Sequence, residues 1–204
     1  MVFNKKDFKI KTFLVVAILI LIFLTIFAFK IHNYEFTWYN LFFIILFVSL
    51  FFIKKQIRPS FFLIIGLFIM VLVHILGGLG HIGEIRLYDV VFGFIRYDFI
   101  VHFVATFVIS FIVYHFIRDF LKSEKPWFNL YLFLILAFTS AGIASVMEIL
   151  ELFTTIFWNS GAWAGGNLNT VLDILSNMLG AMVGSLIITR NYKNKKFRKI
   201  IFED

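Results

Sequence analysis

Residues 12–29 read TFLVVAILILIFLTIFAF, eighteen residues without a charge, set between Lys11 and Lys30. A hydrocarbon core about 30 Å thick takes roughly 20 apolar residues in an α-helix. Five similar runs follow, at about 36–53, 60–76, 99–117, 130–157 and 171–189. Membrane-barrel strands are about 10 residues long and alternate in character, whereas these runs are longer and continuous. The expected fold is all-α: a single integral membrane domain over residues 1–204, built as a polytopic transmembrane helical bundle of about six spans. The first run has a basic leader but no small-x-small cleavage site after it, so it is expected to be an uncleaved anchor.

Composition points the same way. The 204 residues are 61% hydrophobic and 15% charged, with mean hydropathy +0.95. A soluble domain is about 45–50% apolar and about 25% charged, so a water-soluble globule is excluded. Intrinsic disorder needs low hydrophobicity and high charge, and is excluded too. The absence of cysteine removes disulfide frameworks, thiolate nucleophiles and Cys-based metal sites. The 30 phenylalanines suit lipid contact and packing bulk. No internal repeat is expected.

Charge sets the orientation. Of 19 Lys and Arg residues, 16 lie before the first run, between runs two and three, after run four and after run six. Only Lys30, Arg86 and Arg96 fall on the other side. The positive-inside rule then predicts both termini in the cytoplasm, in a plasma or inner cell membrane. The net charge of +7 and the basic tail from Arg190 read as a topology anchor at an anionic leaflet. Membrane lipid is the expected partner, and nucleic acid is not.

Ionisable residues inside apolar spans are costly unless paired or wet, which makes them functional candidates. The first two runs hold none. The third ends in His74-Ile75-Leu76-Gly77-Gly78-Leu79-Gly80-His81, where three glycines are expected to break or loosen the helix. An interfacial or re-entrant segment over 82–97 should follow. Run four is entered through Asp98 and His102, four apart and so on one helix face. That pair reads as a helix cap with an interfacial His, as a carboxylate orienting an imidazole, or as two groups pointing at one ion. Run five carries Glu148 and Glu151 on one face. Two carboxylates so close in low dielectric call for a shared proton or an intervening cation. Residues 158–169, rich in Gly, Asn and Trp, read as an interfacial loop or a lid. Run six opens with Asp173 and Asn177, again on one face, and Gly180 and Gly184 suit close helix packing. With alternating span directions, all these polar residues map to the outer half of the membrane, which points to one shared site.

These residues carry a family resemblance. His74-x-x-Gly77-Gly78, Tyr97-Asp98-x-x-x-His102-Phe103, Glu148-x-x-Glu151 and Asp173 before Gly180 resemble the YjdF-like family of integral membrane proteins. The order Asp98, His102, Glu148, Asp173, Asn177, Gly180 is also similar to the VanZ-like family, from which Phe99 and Glu151 depart. The resemblance spans about 74–184. It implies a membrane protein with this polar set and names no substrate.

Three functions remain open. In the first, an enzyme, His102, Glu148, Glu151, Asp98 and Asp173 are the catalytic or metal-ligating candidates. His74, His81 and Asn177 would position substrate. A divalent cation would serve as cofactor, and a lipid or lipid-linked envelope precursor as substrate. There is no His-Glu-x-x-His and no Gly-x-Ser-x-Gly to narrow the reaction. The second is a proton-coupled transporter or a lipid- or drug-binding protein, since buried Glu and His also make proton relays. The third is an envelope scaffold without catalysis.

Overall fold

The computed structural model describes residues 5–121, 128–158 and 166–203. Six helices among them are long and apolar enough to cross a membrane. The first three are α1 (Lys5–Lys30), α2 (Tyr34–Ile57) and α3 (Phe61–Leu79). Two hairpins follow, β1 (His81–Ile82) with β2 (Ile85–Arg86) and β3 (Val91–Phe92) with β4 (Ile95–Arg96), separated by a 3-10 turn at Leu87–Asp89. The remaining spans are α4 (Tyr97–Ile117), α5 (Phe128–Trp158) and α6 (Gly166–Asn191), before the short α7 (Lys195–Arg198). At most 44% of the apolar window of any span is buried in protein. Side chains such as Phe23, Trp38, Phe52 and Phe138 stand largely exposed. Water would penalise that surface by about 25 cal/mol per Å²; a bilayer would not.

The chain forms two compact units, Met1–Val90 with Lys199–Asp204, and Val91–Arg198. In the first, α1 and α2 pack as a hairpin. Ile10, Leu14, Ala17, Leu21 and Ala28 are buried along α1 at steps of three, four and seven, the seam of a helix pair. His32 takes a left-handed conformation in the turn. Asn33 Oδ1 then accepts the Phe36 backbone N–H at 3.1 Å, capping α2. At the far end Lys54, buried, reaches Asp7 at 2.6 Å.

Two expectations change here. The first two glycines after His74 do not break the helix: α3 runs through Gly77 and Gly78 to Leu79 and ends at the third, Gly80, its C-cap. Their missing side chains serve packing instead. A Cβ on Gly77 would strike the Tyr88 ring, and one on Gly78 the Phe36 ring. The segment that follows holds a repeat that the sequence reading did not anticipate. Gly83-Glu84-Ile85-Arg86 and Gly93-Phe94-Ile95-Arg96 build equivalent two-residue hairpin turns. The glycines lie at φ 63° and 67°, the left-handed region that Gly enters without steric cost.

The second unit is built on α4, α5 and α6. Residues along α4 and α6 meet in the same order: Phe99 with Ser176, Thr106 with Asn177, Ser110 with Gly184. These two helices therefore run parallel. Along α5 the order reverses, with Glu148 bonded to Asn177 and Asn129 to Tyr192, so α5 is antiparallel. A Cβ on Gly180 would meet the carbonyl of Phe103, so α4 and α6 touch backbone to backbone there, as small residues permit within membranes. The helix α6 starts at Gly166, five residues before the expected run. This takes Asn169 into its first turn. Residues 159–165, the centre of the expected lid loop, lie outside the described residues.

Candidate functional site

The parallel pairing of α4 and α6 brings two polar helix starts together. Asp98 lies in the first turn of α4, where the positive end of the helix dipole favours a carboxylate. Asp173 lies two turns into α6. Glu148 reaches in from the antiparallel α5. Asp98, Glu148, Asp173 and Asn177 are all buried.

His102 is the centre of this cluster. Its Nδ1 lies 3.0 Å from Glu148 Oε1. A carboxylate only accepts, so Nδ1 carries the hydrogen and donates. The other nitrogen, Nε2, then faces Asp98 Oδ1 at 3.3 Å and Asp173 Oδ1 at 3.8 Å. A bare lone pair pointed at two carboxylate oxygens is repelled by both. Only a cation at that spot, a proton or a metal ion, turns the contact attractive.

Further bonds hold these groups. The Asn169 side-chain amide donates to Asp98 Oδ2 at 3.2 Å and to Asp173 Oδ2 at 2.7 Å. It therefore ties back the outer oxygen of each acid and leaves both Oδ1 atoms toward Nε2. Arg96 donates to Asn169 Oδ1 and comes within 4.0 Å of Asp98 Oδ2. On the other side Asn177 Nδ2 donates to Glu148 Oε1 at 2.9 Å, and the Thr106 hydroxyl donates to Asn177 Oδ1 at 2.6 Å. One chain of bonds fixes the imidazole, and a second fixes the two aspartates.

Asp98, His102 and Asp173 offer one ligand atom each within 4.8 Å of one another. A tetrahedral ion with bonds of about 2.1 Å needs its ligand atoms about 3.4 Å apart, close to the Nε2–carboxylate distances here. Mixed imidazole and carboxylate donors suit zinc or manganese. Glu148 then stands behind the imidazole as the carboxylate that sets its tautomer, an arrangement common around metal-bound His.

Not every candidate gathers here. His74 lies in the first unit, with Nδ1 2.6 Å from the Tyr88 hydroxyl and the rings of Phe36, Tyr39 and Phe43 around it. His81, on β1, is exposed, with Nδ1 3.2 Å from the Leu79 carbonyl oxygen. The side chain of Glu151 lies outside the described residues. Three members of the network were absent from the sequence reading. Asn169 sat in an expected loop, Arg96 in a segment read only as interfacial, and Thr106 is an ordinary residue of a span. The one available signal was the Asn169/Asp173 spacing of four, which needs the earlier start of α6 to matter.

A family model described as "Predicted membrane protein (DUF2238)" matches residues 12–194. The match covers the first two spans, which the motif resemblance did not reach. No curated protein and no solved structure matches the chain.

Proposed function

This chain belongs to the YjdF-like DUF2238 family of predicted membrane proteins, and from that premise we propose that it is a divalent-metal-dependent membrane enzyme acting on a lipid or lipid-linked substrate. One observation carries the reading: His102 Nε2 faces the Oδ1 atoms of Asp98 and Asp173 at 3.3 and 3.8 Å while its Nδ1 is committed to Glu148. Asp98, His102 and Asp173 would be the ligands. The ion would act as a Lewis acid on a phosphoryl or acyl oxygen, or on water. Glu148, Asn177 and Thr106 keep the imidazole in the ligating tautomer, and Asn169 aims the aspartates. The charge asymmetry of the loops supports a site on the outer face of a plasma or inner membrane.

The test is elemental analysis of purified protein beside Asp173→Asn and His102→Ala. Stoichiometric zinc or manganese in the wild type, lost in both variants, is the expected result. Metal-free wild type after purification and after incubation with each ion would end the metal reading.

A second reading, proton transfer, has its own support. Thr106, Ser110, Ser140, Ser185 and Thr189 are all buried, and the hydroxyls of Ser140 and Ser185 have no hydrogen-bond partner among the described residues. Buried hydroxyls on all three helices of a unit that holds a His–carboxylate cluster suit a relay. Proton uptake by metal-free proteoliposomes, lost in Glu148→Gln, would favour this reading over the enzyme.

A further inference from the structure

The second unit contains a cavity of about 220 Å³ that shares Asp98 and Asp173 with the cluster. Arg96 and Asn169 complete its polar lining, and Phe94, Ile95, Phe99 and Leu172 form the apolar remainder. It holds about the volume of seven waters, below the roughly 300–1,000 Å³ of a pocket for a whole drug-sized ligand. A headgroup and the beginning of a chain fit that space; a complete amphiphile does not.

Several features at the polar end favour an anion. The Arg96 guanidinium, which donates to Asn169 Oδ1 and lies within 4.0 Å of Asp98 Oδ2, brings to this end a planar cation of the kind that grips phosphate. The helix α4 begins here without a side-chain cap, and an uncapped helix start favours negative charge. An ion on the Asp98–His102–Asp173 tripod would bring two positive charges and displace the proton from His102 Nε2, a net gain of one that balances the three carboxylates against Arg96 and the ion. Without that ion, the carboxylates of Asp98, Glu148 and Asp173 outnumber the cationic groups Arg96 and His102. The cavity should therefore admit an anion when metal is bound and refuse it otherwise.

The remaining lining fixes what the anion is attached to. A free phosphate gains nothing from Phe94, Ile95, Phe99 and Leu172. Of this lining Phe94 is 94% exposed, and the sequence neighbours Phe92 and Val171 are at least half exposed, apolar surface that a bilayer would cover. We infer that the cavity binds a membrane lipid bearing a terminal phosphate. The phosphate lies between Arg96 and the metal, the first carbons lie against Phe99 and Leu172, and the rest of the chain stays in the bilayer. This inference rests on the metal reading above and narrows it to phosphate-bearing lipids.

The experiment uses the full chain in a phosphate-free maltoside detergent, with metal content measured first. Dioctanoyl phosphatidic acid, dioctanoylglycerol, octanoate and inorganic phosphate are then titrated with and without Mn²⁺. Phosphatidic acid should bind at least tenfold tighter than the other three, and EDTA should abolish that margin. Arg96→Gln should reduce phosphatidic acid affinity at least fivefold. Leu172→Trp, which fills the cavity without touching the ligands, should do the same at unchanged metal content, and it keeps the test open if Arg96→Gln fails to fold. Metal-loaded protein that binds dioctanoylglycerol or octanoate as well as phosphatidic acid overturns the phosphate assignment alone. Inorganic phosphate binding as tightly as phosphatidic acid makes this a free-anion site and overturns the lipid. Metal-free wild type sinks the metal reading first, and phosphatidic acid binding unchanged in such protein overturns the metal-gated site.

Discussion

At the scale of single residues, the two nitrogens of His102 separate ligand from support. Asp173→Asn keeps the side-chain shape and removes a ligand charge, so metal should leave the protein. Glu148→Gln removes a group that only orients the imidazole, and an outer partner of this kind typically changes metal affinity about 10- to 100-fold. Competitive titration with a chelator should therefore show weakened binding in Glu148→Gln and none in Asp173→Asn. Equal loss in both would make Glu148 a ligand and break the tautomer argument. Because the ligands must be deprotonated, metal binding competes with protons, so retention should fall as pH is lowered. Metal retained unchanged down to about pH 4 would be incompatible with His and carboxylate ligands. Asn169→Ala leaves Asp98 Oδ2 and Asp173 Oδ2 without the amide that both accept from. A buried acceptor left unsatisfied costs about 1–3 kcal/mol, which should appear as a lowered melting temperature even in metal-free protein.

At the scale of elements, the site depends on how closely α4 and α6 approach. Gly180 sits where a Cβ would meet the backbone of Phe103, and backbone cannot rotate aside as a side chain can. Gly180→Ala should push the helices apart, with an overpacking cost of about 1–3 kcal/mol, and loosen the metal site, whose ligand His102 adjoins Phe103. Gly142, on α5, has nothing within 4 Å of an added Cβ, so Gly142→Ala is the matched control and should leave the melting temperature unchanged or raised, since Ala is the better helix residue. If the two substitutions behave alike, the close crossing of α4 and α6 is not what holds the cluster.

At the scale of the molecule, the charge distribution predicts both termini on the cytoplasmic side. Reporter fusions after Lys30 and within residues 158–169 should read external, and one after Lys122 internal. An internal reading for the 158–169 fusion would reverse α5 and α6 and move the Asp98–His102–Asp173 cluster to the cytoplasmic face, where an envelope substrate is out of reach.

The sequence by itself determined the six spans and the conspicuous members of the cluster, because a charge in an apolar run is expensive enough to be visible without a fold. Asp98, His102, Glu148 and Asp173 stood out for that reason, and Asn177 by sharing a helix face with Asp173. It misread Gly77 and Gly78, since helix-breaking tendency is a local property and the Tyr88 and Phe36 rings that need the space arrive from other segments. Only the tertiary structure decided that Asn169 ties Asp98 to Asp173 and that Arg96 reaches Asn169. These bonds span 71 and 73 residues of chain, and no periodicity in one segment encodes a partner in another. The division of His102 into one nitrogen held by Glu148 and one offered to a cation came from the same source. It depends on which side of the imidazole α5 and α6 occupy, and that is a matter of how the three helices pack.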